Sequence, residues 1–482
     1  MVEALESTRG VREAPGLQES RESIERNAMP QRNIYILVGM IAVCLACYVQ
    51  AQRLKYGGKV ATAIQLIESE YVEPVDPREL YYGAMEGMVS KLDPYSEFIA
   101  PQRYQEFQTA IEQQFGGVGM LVEGPPAVPQ LTIVAPIPGT PAYEAGLEPG
   151  DVITHIDGEP TTGMKTEDAT EKMRGPVGTT VRLTIQRRNR PEPIEVTLVR
   201  ADIAVDSVYG DRLRADSSWD FFLEEDARIA YLRVTLFGER TAEEFRQALE
   251  AIRPQAEGLI IDLRYNPGGI LPRAVEMCDM LLDEGVIVST RGRKATKAYE
   301  YHAHQGVVFP PEIPIVVMVN GQSASASEIM AAALQDHGRA KVAGTRSFGK
   351  GTVQEIYQLE NDQTALKFTT ARFYRPNGQN IHRTEEMTES DPWGVQPDPG
   401  LRRELTDYEE LYLQVRWRRR GDPRIMGTEE QPPAPPCAGD PQLLLVLQYL
   451  QQQLAAKHAP ATTSPPAAPG ANSPAPTEAV IP

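Results

Sequence analysis

Two short apolar runs, each followed by a turn, limit most strongly what this chain can fold into. Residues 259–263 read Leu-Ile-Ile-Asp-Leu and residues 315–319 read Ile-Val-Val-Met-Val. Runs of this length with so few polar residues are typical of strands that are buried in a sheet. Strand and helix patterns alternate from 204 to about 425, and this alternation predicts a mixed α/β core.

A serine-rich turn follows the second run and leads into a helix-like stretch at 326–334. Ser325 therefore lies at a strand-to-helix turn, where N–H groups of the helix N-terminus are free to stabilise an oxyanion. Lys350 lies downstream between two glycines, and Gln354 follows four residues later. A serine and a lysine can hydrolyse an amide without a histidine or a metal ion. The alternative is that the serine only caps the helix, and the lysine block disfavours it.

Residues 320–329 and 348–354 resemble the two active-site blocks of the carboxyl-terminal processing proteases, also called tail-specific proteases. The 25-residue offset between the serine and the lysine matches that family. The resemblance implies that Ser325 is the nucleophile, that Lys350 is the general base and that Gln354 orients the lysine. It covers about residues 60 to 425, and it gives the neighbouring serines, Ser323 and Ser327, no catalytic role.

The base and the oxyanion site each require a particular environment. A lysine has an ordinary pKa of about 10.4, and burial lowers that value and frees the amine. One oxyanion donor is expected to be the N–H of Ala326, and a second is expected from the glycine turn at Gly268 or Gly269, with the choice left open.

Other chemistries are possible for the same residues. A histidine could replace the lysine as base, and four of the six histidines, His302, His304, His337 and His382, cannot be excluded by position. Residues 344–351 nearly form a phosphate-binding loop, but Gly351 stands where a magnesium ligand is needed, so a nucleotide hydrolase is disfavoured. Ser347 and Lys350 fit the S-x-x-K motif of penicillin-binding enzymes, whose companion motifs are absent. A catalytically inactive peptide-binding adaptor is the main alternative function. No metal or other cofactor is expected.

A β-rich stretch at 113–203 resembles a PDZ domain, on the evidence of residues 145–151 and Asp157-Gly158. An exposed strand edge there would accept an extended peptide end, and backbone N–H groups would capture its carboxylate. The residues expected to form this groove are Val118, Gly119 and Met120. The alternative is a β-domain that acts only as a spacer.

Arg174 follows the expected PDZ helix. The resemblance implies that an arginine near this place couples tail binding to an aligned active site. Its fork of donors could bridge two backbone segments, whereas the alternative is a solvated surface arginine.

The ends of the chain differ in composition from this centre. Residues 1–33 form a polar tail, and 34–50 form a transmembrane signal-anchor or a signal peptide, because Ile34 to Val49 are apolar and uncharged. A buried core helix is the alternative for that run. Residues 51–112 are predicted to be helical. Residues 426–482 are predicted to be a Pro/Ala-rich and largely disordered tail, interrupted by a helical patch at 443–454.

Together these patterns predict a multidomain α+β protein. Its expected parts are the N-terminal apolar helix, the helical region, the PDZ domain at 113–203 and a serine protease core at 204–425. The net charge of −18 argues against a nucleic-acid partner. The resemblance to the carboxyl-terminal processing proteases implies a serine endopeptidase that binds protein substrates by their C-terminal tails and trims them near their C-termini after apolar or small residues. A membrane is the other expected partner, at 34–50, if that segment is not cleaved. A homo-oligomer is a possible assembly, and the catalytic part is expected outside the cytoplasm, either anchored or exported.

Overall fold

The computed structural model describes residues 31–53, 55–125, 128–214, 216–293, 298–359, 363–421 and 439–458. The chain divides between Lys91 and Leu92 into two compact units, and each is described by itself. Most of the predicted N-terminal tail 1–33 and of the predicted C-terminal tail 426–482 lies outside the described residues.

The first unit is helical and contains α1 (Gln31–Arg53), α2 (Lys55–Glu70) and α3 (Pro77–Val89). The predicted apolar run lies inside α1, whose 23 residues give a length of about 35 Å at the usual helical rise. Among the described residues, α1 is the one helix that is long and apolar enough to cross a membrane. Side chains 32–49 are exposed, so the alternative of a buried core helix is wrong.

The second unit begins with a short strand and a helix, β1 (Glu97–Ile99) and α4 (Pro101–Glu112). The helical region predicted at 51–112 is therefore divided between the two units. A two-stranded ribbon of β2 (Gln114–Gly117) and β9 (Ala201–Ala204) follows, and it joins the points where the chain enters and leaves a small β domain.

The small β domain is a sheet that packs against two helices, α5 (Pro141–Glu144) and α6 (Thr166–Met173). Alternate residues of its strands, such as Val181, Leu183 and Ile185, are fully buried, as the period of two in the sequence requires. The strands in sheet order are β3 (Met120–Glu123), β4 (Thr132–Pro136), β5 (Val152–Ile156), β7 (Thr180–Gln186) and β8 (Ile194–Val199), with β6 (Glu159–Pro160) paired to β5.

The core of the second unit is a sheet in which four neighbouring strands run parallel. These are β14 (Asp226–Val234), β15 (Gly258–Asp262), β18 (Ile315–Val319) and β19 (Ala340–Gly344). β18 is the second apolar run of the sequence, and β15 contains the first run except its last residue, Leu263; every residue in both strands is buried. The remaining short strands near this sheet are β10 (Val208–Tyr209) and β13 (Phe222–Leu223), paired to β14, and the separate pair β11 (Arg212–Leu213) and β12 (Trp219–Asp220).

Helices cover both faces of the parallel sheet. α7 (Thr241–Ile252), α8 (Leu271–Asp279) and α9 (Ala326–Asp336) pack on one face with Leu259, Ile261 and Val317 among others. α11 (Pro441–His458) packs on the other, where it meets the alternate side chains Ile260, Val316 and Met318. The helix before it in the chain is α10 (Asp407–Arg420).

The position of α11 differs from the predicted domain plan. The sequence predicts a helical patch at 443–454 within a tail that begins at 426. In the structure, this helix supplies five buried side chains to the core from one helical face, at positions i, i+3, i+4, i+7 and i+11: Leu443, Val446, Leu447, Leu450 and Leu454. A segment beyond the boundary predicted for the protease core is therefore part of the core's packing.

A second sheet borders the core and carries the lysine block at its edge. Its order is β1, β21 (Thr364–Tyr374), β16 (Val286–Gly292) and β17 (Tyr299–His302), and β20 (Thr352–Leu359) also pairs with β21. β20 begins two residues after Lys350. A phosphate-binding loop leads into a helix, so the strand that follows Lys350 excludes that alternative.

Candidate active site

Three turns that follow three neighbouring parallel strands form the candidate site. Residues 263–269 follow β15, 320–325 follow β18, and 345–350 follow β19. Because the carboxyl ends of neighbouring parallel strands lie at one edge of a sheet, the fold brings these turns together. They contain the predicted glycines, the predicted serine and the predicted lysine.

Ser325 has an unusual backbone conformation. Its φ of 57° and ψ of −114° lie outside the ordinary regions for a residue with a side chain. Such strain persists only where surrounding structure enforces it, and it concentrates at functional sites. The residue is half-buried at the start of α9, so its hydroxyl is presented at a sharp strand-to-helix turn although no G-x-S-x-G motif surrounds it.

The side chain of Glu328 joins the serine block to the lysine block. Its buried carboxylate accepts hydrogen bonds from the backbone N–H groups of Ser325 at 2.9 Å, Gly349 at 2.7 Å and Lys350 at 2.8 Å, and from the Ser347 hydroxyl at 2.6 Å. Burial raises the pKa of Glu328 above its ordinary value, and these donors act in the opposite direction. One carboxylate therefore fixes the positions of both blocks.

Hydrogen bonds also hold the serine turn to the glycine turn. The carbonyl of Asn266 accepts from the N–H of Ala324 at 3.0 Å and from the Ser327 hydroxyl at 2.9 Å. The Ser323 hydroxyl is fully buried and donates to the carbonyl of Leu263 at 2.8 Å. Ser323 and Ser327 thus bond within the scaffold of the turns, while Ser325 is the serine left at the surface of the site.

The glycine turn lies directly against the serine. A Cβ atom on Gly268 would come within 2.8 Å of Ser325 Cβ and 2.9 Å of the Ala326 nitrogen, so only glycine fits there. The N–H of Gly268 donates to Asn266 Oδ1 at 2.8 Å. Among the described residues, the N–H of Gly269 has no hydrogen-bond acceptor.

Lys350 is half-buried beside the ring of Tyr95, whose centroid lies 5.1 Å from Lys350 Nζ. Burial lowers the pKa of the Lys350 amine, and the nearby ammonium of Lys367 lowers it further. The following glycine is required because a Cβ on Gly351 would lie 2.6 Å from the nitrogen of His382. The lysine is therefore held by a close-packed loop in a partly dry environment, as a general base requires.

The amide of Gln354 does not contact the lysine in this structure. Its Nε2 donates to Thr352 Oγ1 at 2.9 Å and to Thr369 Oγ1 at 3.0 Å. Within the described ranges, no hydrogen bond joins Lys350 Nζ to Ser325 or to Gln354. The structure thus brings the two blocks to one edge of the sheet without a hydrogen bond between the two reactive atoms.

The histidines are distributed so that one of them lies near the lysine. His337 ends α9, the helix that Ser325 begins, and bonds to the carbonyl of Val286, which pairs with His302. His304 is exposed and bonds to Asp279. His382 lies beside the lysine loop, with its ring centroid 6.2 Å from that of Tyr95. Burial, followed by the charge of Arg372, lowers the pKa of His382.

The small β domain has a groove of about 240 Å³ between β3 and α6. The predicted groove residues are all in its lining, which comprises Phe115, Gly117, Val118, Gly119, Met120, Leu121, Val122, Ile137, Thr170, Met173, Arg174 and Val205.

Arg174 lies in this groove, half-buried, with its guanidinium carbon 4.8 Å from the centroid of the Phe115 ring. Its Nε is buried and has no hydrogen-bond partner among the described residues. The alternative of a solvated surface arginine therefore does not describe its position.

Sequence reasoning missed two side chains of the candidate site, Glu328 and Tyr95. Glu328 stands three residues after Ser325, the spacing of a capping box, which could have indicated its bond to the Ser325 N–H. Tyr95 is more than 200 residues from Lys350 in sequence, and no local pattern indicates their contact. No cluster of residues suited to hold a metal ion occurs within the described part of the chain.

Comparison with known proteins identifies the family of this chain and two further domains. Residues 228–399 match peptidase family S41, 132–187 match a PDZ domain, and 46–102 match the N-terminal domain of the activating protease CtpB. The carboxy-terminal-processing protease of Bartonella bacilliformis is 36% identical over 364 residues, which cover 73% of this chain and 80% of that relative. The carboxy-terminal processing protease CtpB of Bacillus subtilis is 33% identical over 347 residues, with coverages of 71% and 69%.

Among solved structures, the photosystem II D1 C-terminal processing protease is 27% identical, with coverages of 71% of this chain and 86% of that chain and a TM-score of 0.38. The extent of identity to the two sequence relatives is decisive for the family. The chain belongs to the carboxyl-terminal-processing proteases of peptidase family S41. It is a serine-type peptidase of mixed α+β structure that contains a PDZ domain.

Proposed function

We propose that this protein is an endopeptidase that cleaves proteins near their C-termini with Ser325 as nucleophile and Lys350 as general base. The observation that carries the proposal is the shared carboxylate of Glu328, which bonds to the backbone of both residues. The lowered pKa of Lys350 supports the role of the lysine, because a larger fraction of the amine is then unprotonated near neutral pH.

In the proposed reaction, Ser325 Oγ attacks the scissile carbonyl carbon and its proton passes to Lys350 Nζ. The resulting oxyanion accepts hydrogen bonds from the N–H of Ala326 and from the glycine turn. Gly269 is the better candidate for this second donor, because the N–H of Gly268 already donates to Asn266.

When the tetrahedral intermediate collapses, the C–N bond breaks and Lys350 gives its proton to the leaving amine. Water then attacks the acyl-enzyme ester, with Lys350 again accepting a proton, and Ser325 is regenerated. The Lys350 amine must approach Ser325 when substrate binds, since catalytic hydrogen bonds often form only in the substrate complex. The Oε1 atom of Gln354 can orient the amine while Nε2 remains bonded to the two threonines.

Trapping of the acyl-enzyme tests this mechanism directly. We expect that the full chain in detergent, mixed with a peptide ester and quenched in acid, gains one acyl group, and that peptide mapping places it on Ser325. Acylation of another residue, or turnover without any acyl-enzyme, would contradict the mechanism. Binding of a C-terminal peptide without turnover of any substrate would instead favour the adaptor.

The groove of the PDZ domain is the proposed site for the substrate's C-terminal tail. Gly119 and Met120 lie at the start of β3, where an added strand can pair and backbone N–H groups can receive a carboxylate. The names of the relatives describe carboxyl-terminal processing, and this supports the same substrate class here. Cleavage of a tail with an amidated C-terminus is expected to be weaker.

Arg174 is the proposed link between an occupied groove and the active site. It stacks on Phe115 of the ribbon that joins the PDZ domain to the core. Two residues before Phe115, the side chain of Gln113 accepts hydrogen bonds from Arg240 N and Thr241 Oγ1 of the core. A tail that engages Arg174 can therefore shift the ribbon relative to the core.

We expect Arg174→Ala to lower turnover of a long protein substrate about 10-fold, the size of a typical coupling between sites, with an unchanged melting temperature. Arg182→Ala serves as the control, because Arg182 is exposed on strand β7 of the same domain and does not line the groove. Unchanged turnover by Arg174→Ala on both a protein and a short peptide would disprove the link.

The apolar helix α1 is proposed to direct the catalytic part out of the cytoplasm. Its apolar residues are exposed and its length suits a membrane-spanning or signal segment. The catalytic unit then lies in the periplasm or an equivalent compartment, either anchored by residues 34–50 or released if that segment is cleaved.

A further inference from the structure

The segment that precedes β1 reaches into the active site of the core. Tyr95 lies in a turn held by Asp93, whose side chain accepts from the N–H of Tyr95 at 2.9 Å. The next residue, Ser96, accepts from the N–H of Thr369 at 3.2 Å, and β1 then pairs with β21. The position of the Tyr95 ring is therefore fixed by the sheet that carries the lysine block.

The Tyr95 ring covers one side of the lysine amine. Its centroid lies 5.1 Å from Lys350 Nζ, and its edge meets the ring of His382. Burial raises the pKa of the Tyr95 phenol, and the charges of Glu328 and Asp93 raise it further. Tyr95 therefore remains neutral at working pH and is not itself a candidate base.

Several charged groups face the amine from the elements around it. Glu328 approaches from α9, Asp93 and Glu97 from the segment at β1, and Lys367 from β21. Glu97 holds Lys367 through a contact of 2.8 Å between Lys367 Nζ and Glu97 Oε1. Three carboxylates and one ammonium thus surround Lys350, and the carboxylates favour its protonated form. Burial and the Lys367 charge oppose protonation, so groups that keep water from the amine favour its neutral form.

We propose that Tyr95 is a positioning residue that keeps water from the Lys350 amine and so maintains it as a free base. The proposal rests on the function proposed above, in which Lys350 is the base. The aromatic face also attracts an ammonium, and this attraction acts in the opposite direction. The two effects predict opposite shifts when the ring is removed, so the direction of the shift distinguishes them.

The test is the pH dependence of kcat/KM for a short peptide, measured with the full chain in detergent, because its acid limb reports the base in the free enzyme. For Tyr95→Ala we expect the midpoint of that limb to move to higher pH by about 1 unit, part of the ~3–5 units that full burial can produce. Tyr95→Phe keeps the ring and Tyr95→Leu keeps apolar bulk, so both should stay near the wild-type midpoint.

Other outcomes overturn the proposal. If the midpoint of the acid limb in Tyr95→Ala is unchanged or lowered, the ring does not act by excluding water. The same conclusion follows if the midpoint rises in Tyr95→Ala and rises equally in Tyr95→Leu, because apolar bulk then does not protect the amine. If Tyr95→Ala does not fold, a raised midpoint in Tyr95→Phe contradicts the proposal equally, because the ring is then not sufficient.

Lys350→Ala separates this inference from the proposed function. A Lys350→Ala protein with wild-type turnover and an unchanged acid limb would show that the base is another residue, which is a failure of the proposed function. If Lys350→Ala loses turnover while Tyr95→Ala keeps the acid limb of wild type, the proposed roles of Ser325 and Lys350 stand. Only the proposed role of Tyr95 is then rejected.

Discussion

Replacing Ser325 by alanine is expected to lower kcat about 10⁶-fold, the size of the loss found when a serine protease loses its nucleophile. The chemical step then lacks the oxygen that forms the acyl-enzyme, and binding and the oxyanion donors supply only residual catalysis. Lys350→Ala should cause a loss of similar size, because the remaining hydroxyl has no base. The fold should persist in both variants, since Ser325 and Lys350 are only half-buried.

The measurement is cleavage of a short peptide, with melting temperatures to verify folding. Ser323→Ala is the matched control, two residues away. Its fully buried hydroxyl donates to Leu263 and accepts from the N–H of Asn320, so its loss should reduce stability by about 1–3 kcal/mol without removing the nucleophile. If Lys350→Ala cleaves at a near-normal rate, the base is elsewhere, and His382 is then the histidine to replace first because it lies beside the lysine loop.

Replacing Arg264 by leucine is expected to lower the free energy of unfolding by about 3–5 kcal/mol, the cost of leaving buried charges without a partner. Arg264 is fully buried and donates to Asp262 at 2.6 Å and to Asp440 at 2.8 Å. The leucine variant keeps two buried carboxylates with no cation between them. Asp440→Asn should cost less, because Asp262 still neutralises Arg264.

The pH dependence of this loss gives a second measurement. Burial opposes ionisation of Asp440, but the charge of Arg264 prevails and lowers the pKa of Asp440. A carboxylate of this kind contributes stability above its unfolded pKa of about 3.9, and this contribution is lost as pH falls through its lower folded pKa. The difference in the free energy of unfolding between wild type and Arg264→Leu should therefore become smaller as the pH is lowered from 7 to below 4.

Denaturant unfolding followed by tryptophan fluorescence suits this test, because Trp417 packs against Arg264 with 5.4 Å between the guanidinium carbon and the ring centroid. Arg402→Leu is the control, since Arg402 pairs with Glu404 where both are exposed, and such pairs contribute little. Equal stability losses in Arg264→Leu and Arg402→Leu would contradict the importance of the buried network.

Features of the fold that depend on residues close together in the chain could be predicted from the sequence. The apolar runs that became β15 and β18 are continuous, the helix after Ser325 has its own pattern, and the turn between them follows from both. The catalytic roles remain predictions, but the positions of Ser325 and Lys350 at one edge of the sheet could be expected from the family resemblance.

Features that depend on distant contacts could not be predicted. The bonds of Glu328 to the lysine loop span more than 20 residues, and Arg264 and Asp440 are separated by 176 positions. A carboxylate in a helix or a tail has the same sequence signal whether it is solvated or buried. The packing of α11 against the core could not be predicted either. The proline-rich composition around this helix indicates a tail, although the helix has an apolar face that packs on the sheet.

The position of α11 has a consequence for the order of events during synthesis. A ribosome makes β14, β15, β18 and β19 well before it reaches Pro441–His458, so the face formed by Ile260, Val316 and Met318 stays uncovered until the last of these segments emerges. Arg264, near the start of the turn that contains the two glycines, likewise lacks Asp440 until then. The covering of this face and the pairing of Arg264 therefore both wait for the described helix that is synthesised last.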